Sequence, residues 1–165
     1  MKKIISVLSL SLIVSFTLMS GSGFAYKESD LKKLKETNVC RGCDLSKSNL
    51  SGENLSKANL GGANLSSANL KGTNLFGTLL YSANLSGANL TGAMLGEANL
   101  SNANLEGARL MVVNLSRANL KGANLKGVKL HEAILSGADL TDAEMTDAQI
   151  CGTRMPAGNM VHRDC

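Results

Sequence analysis

The sequence is poor in aromatic side chains and in proline. Phe and Tyr together make up 3% of the 165 residues, Trp is absent, and there is one Pro. Large aromatic side chains supply much of the buried area of an ordinary globular core, so their scarcity argues against such a core. The 44% of hydrophobic residues argues equally against a disordered chain. A repetitive core built from one medium-sized side chain is the alternative.

The first 25 residues have the organisation of a secretory signal peptide. Lys2 and Lys3 precede an apolar stretch from Ile4 to Met19, and Gly23-Phe24-Ala25 offers small residues for cleavage after Ala25. A spanning helix needs about 20 apolar residues, which argues against the rival interpretation, an uncleaved membrane anchor. We expect an exported protein, periplasmic or extracellular, without stable membrane insertion after cleavage.

The charge of the remaining chain is nearly balanced. Removal of Lys2 and Lys3 from the 17 Lys and Arg leaves 15 basic residues against 13 acidic ones, a net charge of +2. A balance of this kind predicts no general attraction to nucleic acid or to anionic membranes.

From Leu45 onward, every fifth residue is apolar. Twenty successive positions, up to Leu140, hold Leu. The register continues through Met145, Ile150, Met155 and Met160. The residue two positions earlier is small, most often Ala, and the residue immediately before is Asn at 14 of the 24 positions. A period of five fits neither a helix nor a long strand.

The period predicts a chain that turns a corner after every five residues, with two side chains inside and three outside. Four sides close a square coil of 20 residues, and stacked coils pair in β fashion about 4.8 Å apart. The repeat then forms about six coils with Leu along the axis. Outside, we expect Asn side chains to stack in hydrogen-bonded ladders and Gly to occupy the turns.

Units such as Ala58-Asn59-Leu60, Ala63-Asn64-Leu65 and Ala138-Asp139-Leu140 resemble the pentapeptide-repeat family, whose pattern is Ala-(Asp/Asn)-Leu-x-x. The resemblance covers residues 43–160. It implies an all-β fold, the right-handed quadrilateral β-helix. Members of this family differ widely in role, so the fold by itself indicates little about function.

Both ends of such a column need a cap, because an open coil exposes its apolar interior. We expect an N-terminal cap over residues 26–42, a short helix with Ser29 or Asp30 as its N-cap and with Leu31 and Leu34 against the first coil. We expect a second cap over residues 151–165, closed by a disulfide. This tail also resembles the ending of exported family members.

The four cysteines lie near the two ends of the repeat. They are Cys40, Cys43, Cys151 and Cys165. An even number in an exported protein favours disulfides. The two pairs are about five coils apart, roughly 25 Å, and bridged Cα atoms lie within about 7 Å. This separation leaves Cys40 with Cys43 and Cys151 with Cys165, and it excludes a four-cysteine zinc site in one monomer. The Cys-x-x-Cys spacing of the first pair leaves a periplasmic thiol-redox protein open as an alternative.

The rest of the sequence contains no arrangement typical of catalysis. Ser residues occupy outward repeat positions without a strained turn or a nearby His. We interpret His131 and His162 as solvated surface residues. The acidic residues of the last coils are interpreted as plain surface: Asp139, Asp142, Glu144 and Asp147. We therefore expect no enzyme, no cofactor and no metal site.

Outward apolar residues are the most informative departures from the repeat. The register places Phe76, Leu79 and Tyr81 around one corner of the column and Met94 on the adjacent coil. We predict that these four residues bind a protein partner of unknown identity. A second candidate cluster is Met111, Val112 and Ile134. The basic residues of coils four and five are interpreted as a solvated face: Arg109, Arg117, Lys121, Lys126 and Lys129.

The sequence thus predicts a non-enzymatic, exported scaffold for structure or protein interaction, with an end-to-end homodimer as one option. The family resemblance supplies an alternative, a DNA-mimicking modulator of gyrase or topoisomerase. That role requires an acidic column, whereas this chain carries Asn on most wall positions and a net charge of +2 without residues 1–25. No nucleic-acid partner is expected.

Overall fold

The computed structural model describes residues 26–162, and most of this stretch is one four-sided solenoid. Among the described residues, twenty isolated parallel bridges join residues 20 apart, from Val39↔Asn59 to Ile134↔Arg154. The bridges recur every five residues, so each coil has four sides and each side pairs through a single residue. The predicted signal peptide and Cys165 lie outside the described residues.

The bridged residues define four faces, which we number in chain order. Face 1 carries Val39, Asn59, Leu79, Asn99, Asn119 and Asp139. Face 2 carries Asp44, Asn64, Asn84, Asn104, Asn124 and Glu144. Face 3 carries Asn49, Asn69, Asn89, Arg109, Lys129 and Gln149. Face 4 carries Asn54, Asn74, Met94, Asn114, Ile134 and Arg154. Face 4 is followed around the column by face 1.

The column interior is filled by the residues that the period selects. Every Leu of the register from Leu45 to Leu135 is at most 4% exposed. Burial of one such side chain contributes about 1.5–3 kcal/mol. Where a hydroxyl replaces Ala inside, it bonds to the backbone: Thr73 and Thr78 donate to the carbonyls of Leu50 and Leu55, both at 2.8 Å.

Each corner has the same backbone conformation. The second residue after each inward apolar residue, from Gly42 to Gly152, has φ between 55° and 70°. Gly fills 12 of these 23 positions, because it adopts positive φ without a steric penalty. Among the corner residues that are not Gly, Val112 is β-branched. Its φ is 56°, a conformation in which a β-branched residue is strained.

The Asn residues mainly cap the turns rather than form ladders. In all 13 repeat units with Asn from Asn49 to Asn124, the side-chain oxygen accepts the backbone N–H two residues later, as in Phe76 to Asn74 at 3.1 Å. Such Asx turns satisfy a backbone donor at each corner. The expected ladder bonds also occur, on faces 2 and 3, for example Asn69 to Asn49 at 3.0 Å.

Helix α1, Glu28–Thr37, covers the N-terminal end of the column. Leu34 is buried and Leu31 packs against the core. The expected N-cap is wrong: Lys27 is the N-cap and makes no side-chain cap bond. Asp30 lies inside the helix, where its carboxylate accepts the backbone N–H of Asp44 at 2.9 Å. This bond attaches the helix to the first coil.

The solenoid begins and ends earlier than the expected range of 43–160. Val39 already forms a bridge, and Cys40 is fully buried at an apolar position. At the other end, strand β1, Thr153–Arg154, pairs antiparallel with β2, Met160–Val161. Met160 is 46% exposed, so its expected place in the interior is wrong. The hairpin closes because the N–H of Met155 donates to Asn159. None of the described residues forms a helix that could cross a membrane.

Candidate interaction surface

The two aromatic residues of the column pack against glycines in neighbouring coils. A Cβ atom added to Gly61 would collide with the ring of Tyr81, and one added to Gly96 would lie 3.1 Å from the ring of Phe76. Both glycines are buried by these rings. The guanidinium carbon of Arg41 lies 6.0 Å from the centre of the Tyr81 ring, within cation–π range.

The prediction of an outward aromatic cluster did not include this packing, although the sequence carries a signal for it. Gly61 and Gly96 are the only glycines that directly follow an inward apolar residue of the repeat. Each lies 20 residues from an aromatic residue, so glycine and ring occupy the same corner in successive coils. We call such a stack of equivalent corner positions a corner column. The aromatic rings therefore stabilise the corners as well as contribute surface. Tyr81 is half-buried as a result, while Phe76 remains 42% exposed.

The structure brings the four predicted partner residues to adjoining faces. Leu79 lies on face 1, between the corners occupied by Phe76 and Tyr81, and Met94 lies on face 4. Leu79 is 38% exposed and Met94 is 47% exposed. Phe76 occupies the corner where face 4 meets face 1, and its ring packs towards the coil of Met94.

The second cluster lies on the same side of the column. Ile134 is an exposed residue of face 4, and Met111 and Val112 form the corner between faces 3 and 4. The bridged positions, which we call ladder positions, hold Asn, Gln or charged residues on faces 2 and 3. We give the name apolar side to seven exposed or half-buried residues of faces 1 and 4 and the flanking corners: Phe76, Leu79, Tyr81, Met94, Met111, Val112 and Ile134. Val39 is also exposed on face 1, but it lies at the N-terminal end of the column and is not included.

The apolar ladder residues give up the Asx turn. Leu79, Met94 and Ile134 have no side-chain acceptor for the N–H two residues later. A hydrogen bond of this kind contributes about 0.5–1.5 kcal/mol. Arg109 and Lys129 on face 3 lack the bond as well, so what distinguishes the apolar side is its exposed apolar surface and not the missing bond.

The basic residues do not form a continuous charged site. Lys126 pairs with Glu144 at 2.9 Å, and Arg117 pairs with Glu97 at 3.7 Å. The hydrogen bond that the Lys126 ammonium donates to Glu144 raises the pKa of Lys126. Arg109 and Lys129 are bridged neighbours on face 3.

The acidic residues of the last coils are engaged locally. The hydroxyl of Thr141 donates to Asp139 at 2.6 Å and lowers the pKa of that carboxyl, with help from the Thr141 backbone N–H. Within residues 26–162, no three His, Cys, Asp or Glu side chains form a group that could hold a metal ion.

The cysteines of the first coil form a buried disulfide. The sulfur atoms of Cys40 and Cys43 are 2.07 Å apart, and the residues are 0% and 4% exposed. A partner thiol in solution has no access to sulfurs buried in this way. Cys151 is also disulfide-bonded. Its predicted partner, Cys165, lies outside the described residues.

His131 differs from its interpretation as a solvated residue. Its Nε2 atom is buried without a hydrogen-bond partner in the described structure, although the residue as a whole is half-buried. His162 is exposed.

Comparison with protein families decides the identity of the repeat. The model for pentapeptide repeats matches eight copies over residues 39–77, 73–110 and 118–155. The chain belongs to the pentapeptide-repeat family. Membership implies the right-handed quadrilateral β-helix, and proteins of this family are generally non-enzymatic structural or interaction proteins. The matched ranges begin at the first bridged residue, Val39, and end at Met155, where the hairpin begins. No curated protein matches the sequence.

Solved pentapeptide-repeat structures are similar to this chain. The protein Rfr23 from the cyanobacterium Cyanothece 51142 is 34% identical, with 73% of this chain and 92% of that chain covered and a TM-score of 0.59. HetL from Nostoc sp. strain PCC 7120, involved in heterocyst differentiation regulation, is 34% identical over 74% of this chain and 66% of its own, with a TM-score of 0.49. QnrB1, a plasmid-mediated fluoroquinolone resistance protein, is 23% identical over 68% of this chain and 60% of its own, with a TM-score of 0.37.

Proposed function

We propose that this pentapeptide-repeat protein is an exported, non-enzymatic scaffold of about six coils that binds a protein partner through its apolar side. The observation that carries the proposal is the asymmetry of the walls. Turn-capping Asn side chains occur on all four faces, whereas the exposed Phe, Leu, Met, Val and Ile residues of the column lie only on faces 1 and 4 and their corners. Exposed apolar clusters with aromatic members are typical of protein contact sites.

Within the apolar side, Phe76, Leu79, Tyr81 and Met94 are the residues that we assign to the partner. Phe76 and Tyr81 are already fixed by Gly96 and Gly61. A partner would therefore meet rings that lose little conformational freedom on binding, which favours affinity. Leu79 between them supplies an apolar contact in the middle of the face.

Two alternatives receive less support from the structure. A DNA mimic requires rows of carboxylates, but faces 2 and 3 carry mainly Asn at their bridged positions. The likeness to QnrB1 is too distant to carry a function. A thiol-redox role requires an accessible sulfur, and both sulfurs of the Cys40–Cys43 pair belong to buried residues.

Site-specific photo-cross-linking in the exporting host tests the proposed function. A photoreactive residue at Leu79 or Met94 should give one discrete protein adduct, and the same residue at Lys129 on face 3 should give none. Adducts at all three positions in equal yield, or none at any, would contradict the proposal. With the photoreactive residue at Phe76 instead, Leu79→Asn/Met94→Asn should abolish the adduct, whereas Lys129→Asn, which introduces the same residue on the far side, should keep it.

Export is tested separately. We expect the mature protein to begin at Tyr26, because cleavage is predicted after Ala25. N-terminal sequencing of protein from the periplasm or medium measures this directly. Full-length protein that stays in the cytoplasm would contradict export without affecting the interaction surface.

A further inference from the structure

The apolar residues of face 4 are spaced symmetrically about Asn114. Met94 is one coil, or one rung of the face, before Asn114, and Ile134 is one rung after it. Both side chains are exposed, at 47% and 40%. A twofold axis through Asn114, perpendicular to the column, would place Met94 of each copy opposite Ile134 of the other. Such a self-complementary patch is what an isologous dimer requires.

The corners beside face 4 follow the same symmetry. Val112 lies in the coil of Asn114, so it would meet Val112 of the second copy. Phe76 lies two rungs before Ser116 in its corner column, and Pro156 lies two rungs after it. The same axis therefore places Phe76 opposite Pro156 of the second copy.

The charges of this side are compatible with the arrangement. Arg154 is the one charged ladder residue of face 4, and it would face Asn74 of the second copy. Glu132, in the corner column of Val112, would face Gly92. The axis places Arg117, in the coil of Asn114, opposite Arg117 of the second copy, and each guanidinium is neutralised by Glu97 of its own chain at 3.7 Å. No like charges oppose each other across the ladder positions of face 4.

The backbone at Val112 is an independent indication of contact. Its φ of 56° favours Gly, yet the position holds a β-branched residue that is 57% exposed. An apolar side chain kept in solvent at a strained position gains its compensation when a partner covers it.

We propose that two copies of the chain associate side by side through face 4, with their columns antiparallel. This dimer differs from the end-to-end option. It rests on the proposed function for the use of Phe76 and Met94 as contact residues, and it leaves Leu79 on face 1 outside the contact. The contacting rungs, from Asn74 to Arg154, span about 19 Å. Because the contact is confined to one face of the column, we expect dissociation in the micromolar range or weaker.

Sedimentation of the purified, exported full chain tests the dimer. The mass should rise from monomer to dimer as the concentration approaches about 1 mM. Met94→Asn/Ile134→Asn should weaken dimerisation at least tenfold, because each side chain occurs twice in the contact. Leu79→Asn is the matched control and should leave dimerisation unchanged. All three changes introduce Asn, the common residue at ladder positions, so folding is preserved.

Cross-linking provides a second measurement. Asn114→Cys lies on the proposed axis, and the cysteines within residues 26–162 are all disulfide-bonded. A short bismaleimide should link Asn114→Cys into dimers faster than Asn84→Cys on face 2. A monomer at every concentration, an equal effect of Leu79→Asn, or equal cross-linking of the two Cys variants would overturn the dimer. A monomeric protein that still gives a heterologous photo-adduct at Leu79 would refute the dimer and retain the proposed function, and a dimer without such an adduct would do the reverse.

Discussion

Replacement of Val112 by Gly should stabilise the protein. At φ 56°, a residue with a Cβ atom is disfavoured by about 1–2 kcal/mol relative to the right-handed region, and β-branching adds to this cost. Gly removes the cost but gains freedom in the unfolded chain, which offsets about 0.4–1 kcal/mol. Val112 is 57% exposed, so the change removes little buried area. We expect a net stabilisation of about 1 kcal/mol.

A thermal melt of the protein below its self-association range measures this effect. For a chain of this size, a change of about 1 kcal/mol shifts the midpoint by about 2–4 °C. The reverse exchange, Gly92→Val, changes the same corner position one coil earlier, where φ is 69°. It should lower the midpoint by a similar amount.

The outcome of this pair decides whether backbone strain is the correct explanation. If Val112→Gly lowered the midpoint, side-chain packing of Val112 in the free monomer would outweigh the strain, and the argument would be refuted. If only Gly92→Val changed it, strain would be general to the corner but relieved at Val112. Val112→Gly should also weaken dimerisation while raising monomer stability, a combination that loss of folding cannot produce.

Three further predictions concern the corner packing, the first disulfide and the acidic turns. Gly61→Ala should destabilise the protein by about 1–3 kcal/mol, because the tyrosine ring above it must move, and a thermal melt measures the loss. Cys40→Ala with Cys43→Ala should cost about 2 kcal/mol in the chain-entropy model, measured by denaturant unfolding, and an unchanged midpoint would show that the bridge constrains nothing. The Ser46 hydroxyl and backbone N–H lower the pKa of Asp44, so this turn adds stability above the unfolded pKa and loses it as pH falls through the folded pKa. Ser46→Ala should therefore reduce the drop in melting temperature between neutral and acidic pH; an unaltered drop would contradict this.

The interior of the column could be predicted from the sequence because one period determines it. A Leu every five residues can be buried all along the chain only if the chain turns at each unit, and the burial from Leu45 to Leu135 agrees. The ends depend on local interactions that the period does not contain. The short turn after Pro156 takes Met160 out of the interior, and a bond between Asp30 and Asp44 orients the helix.

The surface was harder to predict, because its side chains interact along the column rather than along the chain. An outward position in the register does not say whether a ring extends into solvent or lies along the corner. For Tyr81 this depends on Gly61, one coil earlier. The two candidate clusters are separated in the sequence by 17 residues, from Met94 to Met111, yet the 20-residue coil places them on adjoining faces.

The regularity of the repeat turns each departure into an energetic argument. Leu79, Met94 and Ile134 each forgo an Asx hydrogen bond of about 0.5–1.5 kcal/mol, and Val112 adds strain. Natural proteins have only about 5–15 kcal/mol of net stability, so the combined cost is a large part of the total. Arg109 and Lys129 on face 3 forgo the same bond, but the exposed apolar replacements all lie on faces 1 and 4 and their corners. The stability of the column does not explain this concentration of exposed apolar side chains, and contact with another molecule is our proposal for it.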